Sequence, residues 1–311
     1  CSSGTVTLLD GNTGCVLTLG VTPCSTTASV GTYTSISCPG ATDCKISYYD
    51  ATACQLKFAD CDTASCSSGT TTLLDGNSGC VLTSCSTTAS VGQYTSISCP
   101  TATDCKISYY EGGTNDDLKF ADCDDATCST GTVTLLDGNT GCVLTSCSTT
   151  DAVGTYTSIS CPTASDCKIS YRDTDNTALK FADCDTATCV SITDLADPWT
   201  GQTNVTSVSL TYDSTNADLY AHIIKDTTEQ AYSSSTDADV ISWGSETSYA
   251  FTAGDLGHIS ANQSGAGTSE LGVVLRQGSN FEFATVPEYS LILLIIMPIL
   301  PKALRKLRQK R

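Results

Sequence analysis

Polar and apolar side chains alternate with a period of two through most of this chain, in short runs rich in β-branched and aromatic residues. Thr5-Val-Thr-Leu-Leu9, Tyr33-Thr-Ser-Ile-Ser37, Lys45-Ile-Ser-Tyr-Tyr49 and Leu56-Lys-Phe-Ala59 are typical. Clusters of Gly, Asn, Asp, Pro and Thr stand between them. An extended chain points successive side chains to opposite faces, so the pattern predicts half-buried strands joined by turns. No capped apolar stripe at helical spacing occurs before residue 288. The fold class is therefore all-β.

The strands recur in blocks. Cys66 to Cys80 repeats as Cys128 to Cys142 and as Cys1 to Cys15, each enclosing a Leu-Leu-Asp-Gly-Asn turn. Tyr-Thr-Ser-Ile-Ser-Cys-Pro begins at Tyr33, Tyr94 and Tyr156, with offsets of 61 and 62 residues. Copies this similar are one supersecondary unit used again, with four or five short strands each. Ser209 to Ala221 matches the Ile-Ser-Tyr-Tyr-Asp…Leu-Lys-Phe-Ala stretch without cysteine. Asp50, Glu111, Asp173 and Asp213 then mark equivalent points, the last interval being 40 residues. A weaker copy spans Leu271 to Ala284. Units of about 40 residues with four strands have the size of a β-propeller blade. The expectation is a propeller-like repeat array of about five blades, a closed ring or part of one. A strand over Gly4 to Leu9 would complete the last blade if the ring closes. Residues 1–189 hold three cysteine-rich repeats, 190–285 continue the array without cysteine, and 286–311 differ from both.

Charge and sulfur narrow the function. Residues 1–301 carry 33 acidic and 9 basic groups, and the whole chain is at −18. Such a field repels phosphate backbones and excludes nucleic acid as a partner. All 20 cysteines precede residue 190, a density that belongs to an oxidising, extracellular compartment. They fall into close pairs: Cys15 with Cys24, Cys38 with Cys44, Cys61 with Cys66, Cys80 with Cys85, Cys99 with Cys105, Cys123 with Cys128, Cys142 with Cys147, Cys161 with Cys167, and Cys184 with Cys189. Local pairing leaves Cys1 and Cys54. A rival pattern joins Cys66 to Cys80 and Cys105 to Cys123 and leaves Cys54 and Cys189, and spacing alone does not choose between them.

Catalytic chemistry has little material. The two histidines, His222 and His258, sit in unrelated strand-like contexts, and no phosphate cradle or dinucleotide fingerprint occurs. Paired carboxylates are unavoidable among so many acids, and no spacing singles one out. The expectation is a non-enzyme without cofactor. Binding has more support: Tyr49 with Asp50, Tyr110 with Glu111, Tyr171 with Asp173, and Tyr212 with Asp213 recur along the repeats. On one rim they would stack sugars or hold Ca²⁺. The simpler reading, which the pattern favours, packs each Tyr across strands and opens a turn with each acid. The Asp-Gly-Asn turns at Asp10, Asp75 and Asp137 read the same way.

The C-terminal stretch has three parts: Val286-Pro-Glu288-Tyr, an apolar run from Leu291 to Leu300, and a basic end from Lys302 through Arg305 to Arg311. As a helix the run is shorter than a bilayer core of about 30 Å, which flanking cations and local thinning can accommodate. The basic end would stay cytoplasmic and leave residues 1–285 outside. This order resembles the sorting signal of PEP-CTERM-type proteins, whose motif reads Val-Pro-Glu-Pro. The resemblance implies export, an exosortase-like processing partner, and a membrane helix that anchors or is removed. Tyr156-Thr-Ser-Ile-Ser, Ile169-Ser-Tyr and Leu179-Lys-Phe-Ala-Asp-Cys are similar to bacterial surface-protein repeats expected to form propeller blades. Ser235 to Trp243 resembles the Asp-box turn of sialidase-like blades. Sialidase-type enzymes grip a carboxylate with three arginines, whereas only Arg172 and Arg276 precede the tail. The sequence thus points to a structural or adhesive protein of the cell surface, partnered by envelope proteins or surface glycans. The alternative is a carbohydrate-binding or glycan-degrading ectodomain.

Overall fold

The computed structural model describes residues 6–195, except 20, 21, 25, 89 and 114, and beyond these the strands lying between 205 and 287. Five sheets follow one another along the chain. The first is built from β1 (Thr18–Leu19), β2 (Thr22–Pro23), β3 (Val30–Gly40), β4 (Asp43–Asp50), β5 (Gln55–Cys61) and β6 (Gly69–Asp75). The second holds β7 (Ser90–Thr101), β8 (Asp104–Gly112), β9 (Asp117–Cys123) and β10 (Gly131–Asp137). The third holds β11 (Val153–Thr163), β12 (Asp166–Asp173), β13 (Ala178–Cys184) and β14 (Ile192–Leu195). The fourth holds β15 (Val205–Asp213), β16 (Asp218–Lys225), β17 (Glu229–Ser235) and β18 (Thr247–Ala250). The last holds β19 (Leu256–Asn262), β20 (Glu270–Gln277) and β21 (Asn280–Pro287). Each block from β3 onward is an antiparallel meander whose strands pair in chain order.

β3, β7, β11, β15 and β19, which open the successive meanders, lie beside one another in that order. They are stitched by serine rather than by a backbone ladder. Ser35 and Ser37 accept hydrogen bonds from the N–H groups of Ile97 and Cys99 at 3.1 and 3.0 Å. Ser96 and Ser98 do the same for Ile159 and Cys161, and Ser158 and Ser160 for Leu210 and Tyr212. The Ser-x-Ser of each repeat thus caps strand-edge donors that would otherwise be orphaned. The fold is all-β and propeller-like, as the periodicity implies.

The core lies between sheets. Leu56, Phe58 and Leu74 of the first pack on Val91, Ile97, Ile107 and Tyr109 of the second. Leu118, Phe120 and Leu136 meet Val153, Ile159, Ile169 and Tyr171 in the same way, and Leu179 with Phe181 meets Val208 and Leu210. At Gly92 and Gly154 a Cβ would stand 2.7 and 2.8 Å from the Cα of Leu56 and Leu118, so only glycine lets the sheets approach.

All nine close cysteine pairs are disulfides. Cys15 bonds to Cys24, Cys38 to Cys44, Cys61 to Cys66, Cys80 to Cys85 and Cys99 to Cys105. Cys123 bonds to Cys128, Cys142 to Cys147, Cys161 to Cys167 and Cys184 to Cys189. Cys54 is free and exposed. The rival pattern fails although the strand pairing sets Cys44, Cys105 and Cys167 directly opposite Cys61, Cys123 and Cys184. Each sulfur instead reaches along its own hairpin, as in the bond from Cys99 to Cys105 at a Cα separation of 4.1 Å. In the chain-entropy model each such short loop contributes about 2 kcal/mol.

Two expectations need correction. Residues 6–9 form no strand; the carbonyls of Leu8 and Leu9 accept from Val16 and Leu17 across a turn, and this segment leans on the first sheet. The fourth repeat is also registered differently. Leu210 bonds to Ser158 across 52 residues, where Ile159 bonds to Ser96 across 63. β15 therefore takes the place of β11 rather than β12, and Tyr212 and Asp213 stand one strand earlier than Tyr171 and Asp173. The alternation Ser-Leu-Thr-Tyr suits either strand, so the pattern alone could not set the register. Val286 and Pro287 end β21, paired with Leu271 and Glu270. Glu288, Arg305 and the expected C-terminal helix lie outside the described residues.

Candidate functional site

The recurrent Tyr and acidic residues divide into three environments. Tyr48, Tyr109 and Tyr171 are equivalent and buried, each donating its hydroxyl to an acid of the preceding block: Asp10, Asp75 and Asp137, at 3.0, 2.7 and 2.9 Å. Lys57, Lys119 and Lys180 reach the same three carboxylates at 2.9, 3.2 and 2.6 Å. The turn acids are cross-sheet anchors held by ammonium and phenol. Burial, followed by the nearby carboxylates, pushes the phenols of Tyr48 and Tyr109 upward, so they remain donors.

Asp50, Glu111 and Asp173 are also buried and work locally, so they do not line a solvent rim. Asp50 accepts the Thr52 and Ala53 N–H groups and the Gln55 amide. Glu111 accepts from Asn115 and pairs with Lys119 at 2.7 Å, and Asp173 accepts from Asn176. This is the turn-capping role of the simpler reading. Asp213 is buried and Tyr212 half-buried on β15. A further set, absent from the sequence expectations, places Lys45, Lys106 and Lys168 in buried ion groups, with Asp43 and Asp60, Asp104 and Asp122, and Asp166 and Asp183. The legible signal was a lysine inside a strand otherwise patterned for burial.

The aromatic groups that reach solvent are others. Tyr33, Tyr94 and Tyr156, near the start of β3, β7 and β11, form a ladder with ring centroids 4.5 and 4.7 Å apart. Each has a left-handed backbone, with φ of 55°, 54° and 52°, at an irregularity in the pairing with the second strand. That conformation costs a non-glycine residue about 1 kcal/mol or more, and three repeats keep it. It turns each ring along the row of first strands. Tyr33 is 42% exposed, and the other two are half-buried. Tyr49 and Tyr110 lean edgewise on the ladder at 6.2 and 6.1 Å.

Tyr110 links the ladder to a cavity of about 260 Å³ between the second and third sheets. Its hydroxyl donates to Asp116 at 2.5 Å. Asn115, Asp116, Asn139, Thr150, Asp151 and Asp175 line that pocket, which is open and polar. Asp151 accepts from Thr150 and Asn176, and Asp175 from the Ala152 N–H. Behind the wall, Asp117 is 2% exposed and its Oδ1 has no hydrogen-bond partner. Burial, with Glu111 opposite, pushes its carboxyl up to about 7. Neither Tyr110 nor Arg172, which takes its position in the third repeat, is among the pocket walls. Among the described residues one group of three metal-ligating atoms converges, Asp137 with Cys142 and Cys147. Those two sulfurs are bonded to each other, so the group is no metal centre.

No family model matches this chain, and no curated protein does. Solved structures do match. The Hadza microbial sialidase Hz136 aligns at a TM-score of 0.59 and 10% identity, over 88% of this chain and 56% of that one. An unknown-function protein from Dyadobacter fermentans aligns at 0.56 and 8% identity, over 82% and 78%. The SapL1 lectin, in complex with alpha methyl fucoside, aligns at 0.52 and 10% identity, over 84% and 79%. The likeness is one of fold. This chain spans less than two thirds of the sialidase's length. No helix among the described residues is long and apolar enough to cross a membrane.

Proposed function

We propose that this chain is a non-catalytic, glycan-binding adhesin of the cell surface, exported and held at the envelope through its C-terminal segment. The observation that carries the reading is the polar pocket beside the tyrosine ladder. Carboxylates and amides that keep acceptor capacity suit sugar hydroxyls, which donate short, strong hydrogen bonds to ionised oxygens. Tyr110 backs the wall and holds Asp116 in place through its hydroxyl. At about 260 Å³ the pocket falls just under the range of about 300–1,000 Å³ typical of drug-sized ligands, a size for a single sugar ring. The lectin and sialidase among the structural neighbours support this at the level of fold. The disulfides support an extracellular setting. Adhesion, expected from the sequence, is kept with a glycan as partner.

The test is a glycan array on the disulfide-intact protein, followed by titration of whatever binds. Micromolar binding that falls at least tenfold in Asp151→Asn and in Tyr110→Ala supports the reading. An array with no binder, or binding indifferent to both substitutions, overturns it.

A further inference from the structure

We infer that copies of this chain join head to tail, the last sheet of one entering the open side of the first sheet of the next. This goes beyond the glycan reading and does not depend on it. Seams between sheets in this molecule have a direction. At the seam between the first and second sheets, and again between the second and third, the leading sheet brings two things. Its opening strand offers serine oxygens to N–H groups of the next sheet, and its third strand brings Leu56 with Phe58, or Leu118 with Phe120. The following sheet receives them with Gly92, Ile97 and Tyr109, or with Gly154, Ile159 and Tyr171.

The first sheet repeats that receiving side in Gly31, Ile36 and Tyr48, and there it is open. A Cβ on Gly31 would find only the Thr34 hydroxyl, at 4.0 Å, where Gly92 and Gly154 meet a leucine Cα at 2.7 and 2.8 Å. A hollow of about 180 Å³ remains, lined by Leu9, Val30, Ile46 and Tyr48. Ile36 is exposed, and among the described residues the serine stitch has no counterpart there. Residues 6–9 show which strands the seam lacks. By sequence they are a fourth strand, matching Val133 to Leu136 of β10. They also stand in a fourth strand's place. Thr7 donates to the Ser65 carbonyl at 2.7 Å, as Thr72 does to Thr127 and Thr134 to Thr188, and Asp10 receives Tyr48. Among the described residues this segment pairs with no third strand, and Val6 is 99% exposed where Val133 is 6%.

The last sheet is the converse. Among the described residues it has three strands and no fourth beside β21. β21 holds the third-strand position and carries Phe281-Glu-Phe283-Ala284, the form of Leu56-Lys-Phe58-Ala59. A fourth strand lacking its third therefore has its complement in a third strand lacking its fourth. The two do not meet within one copy, where the receiving side at Ile36 stays open. Two first sheets would not satisfy each other, because neither brings a third strand. Joining last sheet to first pairs two free strand edges and fills the apolar hollow. The contact is heterologous, so it propagates into rings or filaments.

The test is sedimentation velocity of the whole chain, in mild detergent that shields the apolar run from Leu291 to Leu300. The expected result is a monomer when dilute and heavier species as concentration rises through the micromolar range. Ile36→Asp and Thr34→Arg, both at exposed positions, should each weaken self-association at least tenfold. Each should still join wild-type protein and shorten its assemblies, because the variant keeps an intact last sheet. Amide hydrogen exchange should slow over residues 6–9 and 281–284 on assembly. A monomer at every concentration overturns the inference, whether the seam stays open or closes within one copy. So do variants that no longer join wild type, the mark of two first sheets meeting face to face. Assemblies indifferent to both substitutions, or without protection at those two segments, overturn it as well.

Discussion

β3 and β7 share the run Tyr-Thr-Ser-Ile-Ser-Cys-Pro, yet Ile36 is 60% exposed and Ile97 only 5%. Their hairpins, disulfides and bulges are alike. The difference is the neighbour. β7 lies against β3, which supplies Ser35, Ser37 and the apolar face of the first sheet. β3 has the segment around Leu9 and Asp10 beside it, with an apolar hollow between Val30, Ile46 and Tyr48. Burial in this molecule is thus a property of the seam and not of the strand. Each sheet supplies half of two cores.

The sharpest way to break that comparison is a matched pair of truncations. Ile97→Ala should cost about 2–4 kcal/mol, because a packed side chain leaves a cavity. Ile36→Ala should stay within about 0.5 kcal/mol, the usual range for an exposed position. Denaturant unfolding of the oxidised protein measures both, and equal costs would mean that the β3 face is covered in solution.

A smaller effect concerns the stitch. Ser35→Ala removes the acceptor of the Ile97 N–H and should cost about 1–2 kcal/mol. Ser158→Ala should do the same to Leu210. A loss within error at both sites would show that water replaces the serine without penalty.

The smallest effect separates the two seams by pH. Asp117, held near 7 when folded, is an ordinary carboxyl near 3.9 when unfolded. The folded state therefore binds the extra proton between those values, and stability falls as pH rises through that window. Asp117→Asn should raise stability at pH 8 by about 1 kcal/mol, after allowance for solvent screening. The gain should vanish below pH 4. Gln55→Glu at the other seam should impose the same penalty from pH 5 upward. A flat pH response in both pairs would contradict the burial argument.

Much of the molecule was legible from local pattern. Period-two alternation, the sheet-forming repeats and the close spacing of the cysteine pairs all depend on residues within a few positions of one another. The site was legible only in part. Tyr48 and Tyr49 are adjacent and chemically identical, yet one is an anchor buried under Asp10 and the other leans on the ladder. Tyr33 opens a repeated motif, and nothing in its neighbours announces a left-handed backbone or an exposed ring.

What the sequence determined by itself was the all-β class, the repeat unit and the redox setting, because each follows from short-range alternation or composition; the choice between the two cysteine pairings belonged to the structure. Tertiary structure decided the partners of Asp10, Asp75 and Asp137, the register of β15, the tyrosine ladder and the acid-lined pocket. Most of those contacts join residues 34 to 63 positions apart, between sheets that meet face to face. A side chain's role there depends on what the neighbouring copy presents to it.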